Sequence, residues 1–269
     1  MKLLIKDSAK ASKLQCLISI LRQFAESISL NINITGLYAQ GMDKSHCCLF
    51  EFNLKPEWFD VYDIESCNCK TIGFSNLAFH KMLGTRRENQ SIEIIHNCDQ
   101  DYLTILLESS LKEADTSKNY NKQFELPLMD LEMELLSIPN VEADADLIIS
   151  TAVFKDIIDE LAIFSEKISV VLDEETIKFK TVSGDEGKMM ITIKNEDITE
   201  YSIIDNEVIS QTFNLKILKS ICNFNKISNE IKLSFSNDKP LFIQIKLDGN
   251  DNYINFHAAP YITDNDDDE

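Results

Sequence analysis

The densest group of potentially reactive side chains in this sequence lies around residue 46. It combines carboxylate, imidazole and thiol groups, namely Asp43, His46, Cys47 and Cys48, followed by Cys67 and Cys69. Such groups could bind zinc or form a cysteine and histidine nucleophile. However, structural zinc sites usually place two to four residues between paired ligands, whereas these cysteines are adjacent or one residue apart. We therefore predict that the cysteines are small core residues and that no metal binds here.

Other signatures of catalysis are missing from the chain. It contains no glycine-rich phosphate loop, no His-Glu-x-x-His and no Gly-x-Ser-x-Gly motif, and it has only seven glycines. We predict no enzymatic activity and no cofactor, and an enzyme built on His46 and Cys47 is the least favoured hypothesis. The seven cysteines form no paired framework, which indicates a reducing, intracellular environment. No apolar run approaches the length of a membrane span, so we expect no membrane association.

Positive charge is concentrated in three segments, although the formal net charge is −19. Residues 8–25, 74–87 and 214–229 contain lysines and arginines but no aspartate or glutamate. At the average acid content of the chain, these segments would hold roughly eight carboxylates. They could be the solvated faces of ordinary amphipathic helices or a surface that contacts nucleic acid. Three acid-free segments in so acidic a chain favour the second interpretation.

The basic segments have the apolar spacing of short helices. Residues Leu14 to Phe24 repeat apolar side chains at intervals of three and four, with Ser8 as a candidate N-cap. Much of the remaining sequence alternates apolar and polar residues as half-buried antiparallel strands do; the clearest examples are 92–94, 103–105, 191–193, 231–235 and 242–247. This mixture predicts an α+β fold with helices on one face of the sheets.

Two stretches of the chain are near copies of each other. Phe24-Ala-Glu-Ser-Ile-Ser29 and Phe164-Ser-Glu-Lys-Ile-Ser169 are 140 residues apart, and the apolar positions before them align without a gap. A repeat of this length indicates a duplicated domain rather than a solenoid. The chain is long and apolar enough for each half to bury its own core.

An acidic connector separates the two halves. Residues 130–146 hold six acids and no base, yet they include several apolar side chains that an idle linker would lack. We therefore predict an N-terminal domain at 1–129, the connector at 130–146, a C-terminal domain at 147–262 and an acidic tail at 263–269.

Taken together, these features resemble the eukaryotic-type DNA sliding clamps, the proliferating cell nuclear antigen (PCNA) family. The matching words are Gly41-Met-Asp-Lys-Ser-His46, Leu128-Met-Asp-Leu131 running into Leu136-Ser-Ile-Pro139, Asn225 to Leu233 followed by Pro240-Leu241, and Ala259-Pro260. They occur in the family's order and spacing over essentially the whole chain.

This resemblance implies a closed homotrimeric ring with helices inside, around double-stranded DNA, and antiparallel sheets outside. DNA binding would be independent of sequence. The DNA-facing residues implied by the resemblance are Lys10, Lys13, Arg22, Lys81, Arg86, Arg87, Lys155, Lys216 and Lys219, with Lys226 nearby. One helix departs from the pattern, because Lys155 is accompanied by Asp156, Asp159 and Glu160.

The resemblance also implies an outer hydrophobic pocket for short aromatic motifs of DNA polymerases and other replication proteins. The corresponding residues are Met42, Ser45, His46, Leu136, Ile138, Pro139, Pro240, His257, Ala258, Ala259 and Pro260. Ring closure would join strand 122–126 of one subunit to strand 188–193 of the next. A clamp loader and a nuclear location, or a viral or other replication site, are further implications.

Two other functions compete with this interpretation. Within the same fold, the chain could be one subunit of a heterotrimeric checkpoint clamp. In a different class, it could be an acidic interaction scaffold that never encircles DNA, as the net charge and the acids near Lys155 would allow.

Overall fold

The computed structural model describes residues 1–64, 71–109, 120–131, 135–138, 142–182, 187–237 and 239–261. These residues form two compact units. Unit 1 contains Met1–Lys44, Phe50–Ser137 and Leu247–Ile254, and unit 2 contains Ser45–Leu49, Ile138–Lys246 and the residues from Asn255 onward. Each unit has its own buried core of aliphatic and phenylalanine side chains.

Unit 1 is built from two helices and nine strands. The helices are α1 (Ser8–Leu21) and α2 (Asn76–Leu83). The strands are β1 (Lys2–Ile5), β2 (Ser27–Asn33), β3 (Gly36–Met42), β4 (Cys48–Leu54), β5 (Val61–Asp63), β6 (Thr71–Ser75), β7 (Gln90–Ile95), β8 (Tyr102–Ser109) and β9 (Lys122–Met129). Their order across the sheet is β4-β3-β2-β6-β9-β8-β7-β1-β5. The two helices pack on each other and on this sheet.

Unit 2 repeats the same order of elements. Its helices are α3 (Thr151–Leu161) and α4 (Leu215–Cys222). Its strands are β10 (Ala145–Ser150), β11 (Lys167–Leu172), β12 (Thr176–Thr181), β13 (Met190–Lys194), β14 (Glu200–Ile203), β15 (Ile209–Asn214), β16 (Glu230–Phe235), β17 (Leu241–Asp248) and β18 (Asn252–Ala258). The end of β17 and the start of β18, within Leu247–Ile254, belong to unit 1. They are ordered β14-β10-β16-β17-β18 and β13-β12-β11-β15. The predicted α+β class and all five predicted strand segments are therefore confirmed.

The duplicated words form the same turn in both units. After α1, the amide of Phe24 donates to the carbonyl of Leu21, and after α3 the amide of Phe164 donates to the carbonyl of Leu161. The next contact is repeated as well, because Asn76 N donates to Glu26 O and Leu215 N donates to Glu166 O. These bonds fasten the second helix of each unit to the chain that leaves the first helix.

The helix start at α1 differs from the prediction. Asp7, not Ser8, is the N-cap, and its carboxylate accepts the amide of Lys10 at 2.8 Å. Ser8 is the first helical residue, and its hydroxyl donates to the carbonyl of Glu88. An aspartate caps at least as well as a serine and adds a favourable charge at the helix N-terminus.

Strand pairing differs between the two strands predicted to close a ring. Residues Lys122 to Pro127 of β9 pair with β8, whereas only Leu128 and Met129 pair with β6. Strand β13 pairs with β12 and lies at the end of its sheet. Among the described residues, β13 and β9 therefore each have one edge at which some or all backbone groups are not paired with another strand.

Candidate functional sites

Lysines Lys10 and Lys13 of α1 contact internal acceptors of unit 1. The ammonium of Lys10 donates to the carbonyl of Trp58 at 3.1 Å and lies 4.0 Å from the carboxylate of Asp248. The ammonium of Lys13 donates to the carbonyl of Leu247 at 2.6 Å. An ammonium has three donors, so both lysines have further bonding capacity, but the internal bonds restrict their reach.

Arg22 and Lys81 are the exposed cations of the unit 1 helices. Arg22 follows the last turn of α1, and Lys81 lies in the last turn of α2. Burial lowers the pKa of His80, and the positive charge of Arg22 lowers it further. Arg22 therefore lies close enough to α2 for its charge to act on His80.

Arg86 has a structural role in unit 1. It is 9% exposed, and its guanidinium donates to the carbonyls of Gln90, Ser8 and Glu88 and to the hydroxyls of Ser8 and Ser12. These acceptors tie the loop after α2 to the first turn of α1. The guanidinium of Arg86 is therefore engaged in the interior of unit 1.

Arg87 lies on an exposed aromatic ring. Its guanidinium carbon is 4.5 Å from the centre of the Tyr120 ring, and it donates to the Tyr120 hydroxyl at 2.9 Å. The ammonium of Lys122 is 5.5 Å from the same ring. Burial and the neighbouring Arg87 lower the pKa of Lys122.

The helix pair of unit 2 contains a shared ion pair. The carboxylate of Asp159 in α3 contacts Lys155 one turn away, and its other oxygen lies 3.3 Å from the ammonium of Lys219 in α4. Lys216 and Lys226 are exposed. The cations of unit 2 therefore differ in their surroundings, since two share one carboxylate.

A glutamine anchors the acidic connector to unit 1. Gln40 is buried in β3; its amide nitrogen donates to the carbonyl of Leu136 at 3.1 Å, and its amide oxygen accepts the amide of Leu136 at 2.7 Å. The side chain of Leu136 remains 52% exposed. Met42 ends the same strand. Gln40 therefore fixes the backbone of Leu136 and leaves its apolar side chain exposed at the surface.

The remaining pocket residues predicted by the resemblance lie in unit 2, apart from Pro139, which is outside the described residues. His46 adopts a left-handed backbone with φ of 55°, and the neighbouring Cys47 carbonyl accepts the amide of Ala259 at 2.8 Å. The His257 ring is 5.2 Å from the Phe242 ring. Ser45 and Ala258 also lie in this unit. Ile138, Pro240 and Pro260 are half-buried or exposed.

Gln211 holds the turn that precedes Pro240. Its amide nitrogen donates to the carbonyls of Ser236 at 2.8 Å and Lys239 at 3.0 Å. Next to it on β15, the carbonyl of Thr212 accepts the amide of Tyr261 at 2.7 Å. Gln40 and Gln211 were missed by the sequence reasoning; a glutamine inside an otherwise apolar strand is the signal that could have indicated them.

The cysteine cluster has no metal-binding geometry within the described part of the chain, where no group of three histidine, cysteine or acidic side chains could hold an ion. Cys48 is buried, as predicted, but Cys47 is exposed, so its prediction as a core residue is wrong. Cys48 is the first residue of β4, whereas Cys47 lies in the bend before that strand, which explains the difference. Cys67 and Cys69 lie outside the described residues. No described helix is long and apolar enough to cross a membrane.

Two family models match the chain in tandem. The N-terminal domain of proliferating cell nuclear antigen matches residues 4–135, and its C-terminal domain matches residues 137–261. The chain is 28% identical over 260 residues to the proliferating cell nuclear antigen of Chaetomium thermophilum, covering 95% of this chain and 96% of the relative.

Two further relatives carry the same name. The protein of Saccharomyces cerevisiae is 24% identical, covering 95% of this chain and 96% of its own. That of Dictyostelium discoideum is 26% identical, covering 94% and 97%. Similarity at this level over nearly full length in every case, together with the duplicated fold, shows that the chain is a divergent member of the proliferating cell nuclear antigen family.

Proposed function

We propose that this protein is a DNA sliding clamp and polymerase processivity factor whose three identical subunits encircle duplex DNA. Members of its family are sliding clamps without enzymatic activity, and this chain is accordingly not an enzyme. The observation that carries the proposal is the set of exposed cations on, or directly after, the paired helices of both units. In a chain with a net charge of −19, the exposed Arg22, Lys81, Lys216 and Lys226 offer phosphate contacts without sequence readout.

The relatives' shared name describes a nuclear antigen, which supports a nuclear location for this protein. A clamp loader would be needed to open a closed ring and place it on DNA. The checkpoint-clamp and scaffold alternatives gain no support from the comparisons.

The assembly and the activity can be tested on the purified protein. Native mass measurement should give three times the chain mass of 30.7 kDa. With a clamp loader on primed circular DNA, the trimer should lengthen the products of a replicative polymerase, and linearising the template should release it. A monomer at micromolar concentration, or a trimer that never stimulates synthesis, would contradict the proposal.

We also propose that partner proteins bind through the residues that the resemblance assigned to the outer pocket. Leu136 supports this, because its backbone is fixed by Gln40 while its side chain faces solvent. Buried apolar anchors often contribute more than about 1 kcal/mol each when truncated. Leu136→Ala with Ile138→Ala should therefore weaken a peptide bearing two neighbouring aromatics by roughly tenfold or more.

The matched control replaces Leu77→Ala and Val153→Ala, two exposed apolar residues on helices α2 and α3. Both double variants should remain trimeric and melt near the wild-type temperature. Equal peptide affinity in all three proteins would place the partner site elsewhere.

A further inference from the structure

Asp159 occupies an unusual position for an acid on a proposed DNA-binding helix. It lies on α3 between two of the lysines that the resemblance assigned to DNA contact. We infer that Asp159 lowers the affinity of the clamp for DNA by holding Lys155 and Lys219 in a shared ion pair. The inference rests on the proposed clamp function and adds a residue that sets the strength of its DNA contact.

The geometry supports a double contact by one carboxylate. One oxygen contacts Lys155 four residues earlier on the same helix, and the other lies 3.3 Å from Lys219 on the packed helix α4. Hydrogen bonds from Lys155 and then Lys219 lower the pKa of Asp159. The carboxylate therefore stays ionised at neutral pH and binds both cations at once.

Neighbouring acids on α3 make no comparable contact. Asp156 and Glu160 are exposed, and neither lies within 4.0 Å of a basic nitrogen in the part of the chain that the structure describes. The internal repeat offers another comparison, because the position 140 residues before Asp159 is Ser19 on α1. The charge is therefore a property of unit 2 and not of the duplicated helix.

The ion pair changes what the two lysines can do for DNA. To neutralise a phosphate, each ammonium must exchange the Asp159 carboxylate for the phosphate, so part of the gain is lost. Two cations with one anion also present a net charge of one instead of two. Each lysine released to contact phosphate would steepen the dependence of log affinity on log salt by about 0.9 and raise affinity about eightfold at 0.1 M salt.

The test compares Asp159→Asn with Glu160→Gln in the full-length protein. Both remove one negative charge from the same helix turn, but only the first removes the ion pair. Affinity for a short linear duplex is measured by fluorescence anisotropy at several salt concentrations. Asp159→Asn should bind at least about eightfold more tightly at 0.1 M salt, with a slope steeper by about 0.9 or more. Glu160→Gln should change affinity less than about twofold with an unchanged slope.

Each outcome decides between the two proposals. Equal effects of the two substitutions would overturn the role of Asp159 while leaving the clamp function standing. Absence of duplex binding by the wild type and both variants at low salt would overturn the clamp function and the inference with it. Native mass and melting temperature confirm that the variants compared are folded and equally assembled.

Discussion

At the scale of single residues, two buried polar side chains, Gln40 and Arg86, hold other segments in place through hydrogen bonds. Gln40 uses both ends of its amide on the backbone of Leu136, and Arg86 uses its whole guanidinium on the carbonyls and hydroxyls around α1. Each such hydrogen bond contributes about 1 kcal/mol, and leaving a buried partner unsatisfied costs more. Both residues therefore fix segments that have little other internal structure.

Replacing Gln40→Ala should loosen the connector without disturbing the sheet. We expect a loss of about 1–3 kcal/mol in the free energy of unfolding and severalfold weaker binding of the aromatic peptide, because Leu136 is no longer held in place. Calorimetric titration measures the affinity and denaturant unfolding the stability. The exposed Gln23→Ala serves as control, and an unchanged affinity in Gln40→Ala would show that the connector is positioned by other contacts.

His80 should report on charge at the helix surface. Its pKa is lowered by burial and by Arg22, so the folded state binds fewer protons than the unfolded state between that lowered value and the ordinary 6.5. The contribution of His80 to stability is complete above pH 6.5 and is lost as pH falls through the lowered pKa. His80→Gln should remove this part of the acid sensitivity.

Proton NMR can follow the His80 pKa directly, since the chain has only four histidines. Arg22→Gln should raise the pKa of His80, and added duplex DNA should raise it in the wild type by bringing phosphate nearby. An unchanged pKa with saturating DNA would argue against a contact at this surface.

The residue types predicted the chemistry of these surfaces but not their partners. Lysine spacing indicated a positive face, yet the internal bonds of Lys10 and Lys13, the burial of Arg86 and the shared acid at Asp159 depend on segments distant in sequence. The acceptors that a long flexible side chain can reach are set by the folded arrangement of distant segments and not by its neighbours in sequence. Sequence pattern alone therefore overstates the number of cations available to a ligand.

At the scale of elements, local periodicity was sufficient for some of the helices and strands. Apolar residues spaced by three and four predicted α1 and α4, and alternation predicted β7, β8, β13, β16 and β17. Sheet order was less accessible, because pairing such as that of β9 with β6 through only Leu128 and Met129 depends on where loops allow strands to meet. The 140-residue repeat supplied what single elements could not, since it indicated two copies of one fold.

The exposed cations of α2 and α4 should both contribute to DNA binding. Lys81→Glu combined with Lys216→Glu should lower duplex affinity by more than about tenfold and flatten its salt dependence, because phosphate contacts are lost and like charges added. The control combines Lys6→Glu with Lys246→Glu, which makes the same change in net charge outside the four helices and outside strands β9 and β13. Similar losses in both variants would indicate general repulsion instead of a contact surface.

At the scale of the whole molecule, the proposed trimer would join strands that are incompletely paired within one chain. Strand β13 ends its sheet with Met190 and Thr192 exposed on one face. Strand β9 pairs with β6 only through Leu128 and Met129, and its Gln123 and Glu125 side chains are exposed. An edge of this kind is satisfied when a second chain adds a strand, and a head-to-tail arrangement can close into a ring.

Charge placed on β13 should therefore separate the subunits. Met190→Glu with Thr192→Glu adds six negative charges to a trimer, two of them beside each β9 strand, where Glu125 is exposed. We expect monomers at micromolar concentration with the circular dichroism spectrum retained. Met190→Gln with Thr192→Gln keeps the side-chain length without the charge and should remain trimeric. Trimers of the glutamate variant, observed by analytical ultracentrifugation in moderate salt, would place the interface on other strands.

The repeated turn that binds Asn76 to Glu26 and Leu215 to Glu166 gives the molecule an internal reference for motion. The two amides sit in equivalent hydrogen bonds at equivalent helix starts, although the side chains around them differ. Once each rate of deuterium uptake is divided by the intrinsic exchange rate of its own sequence, a remaining difference reports how often each unit opens. Because the same hydrogen bond occurs in both units, local opening of one unit can be compared with that of the other in a single sample.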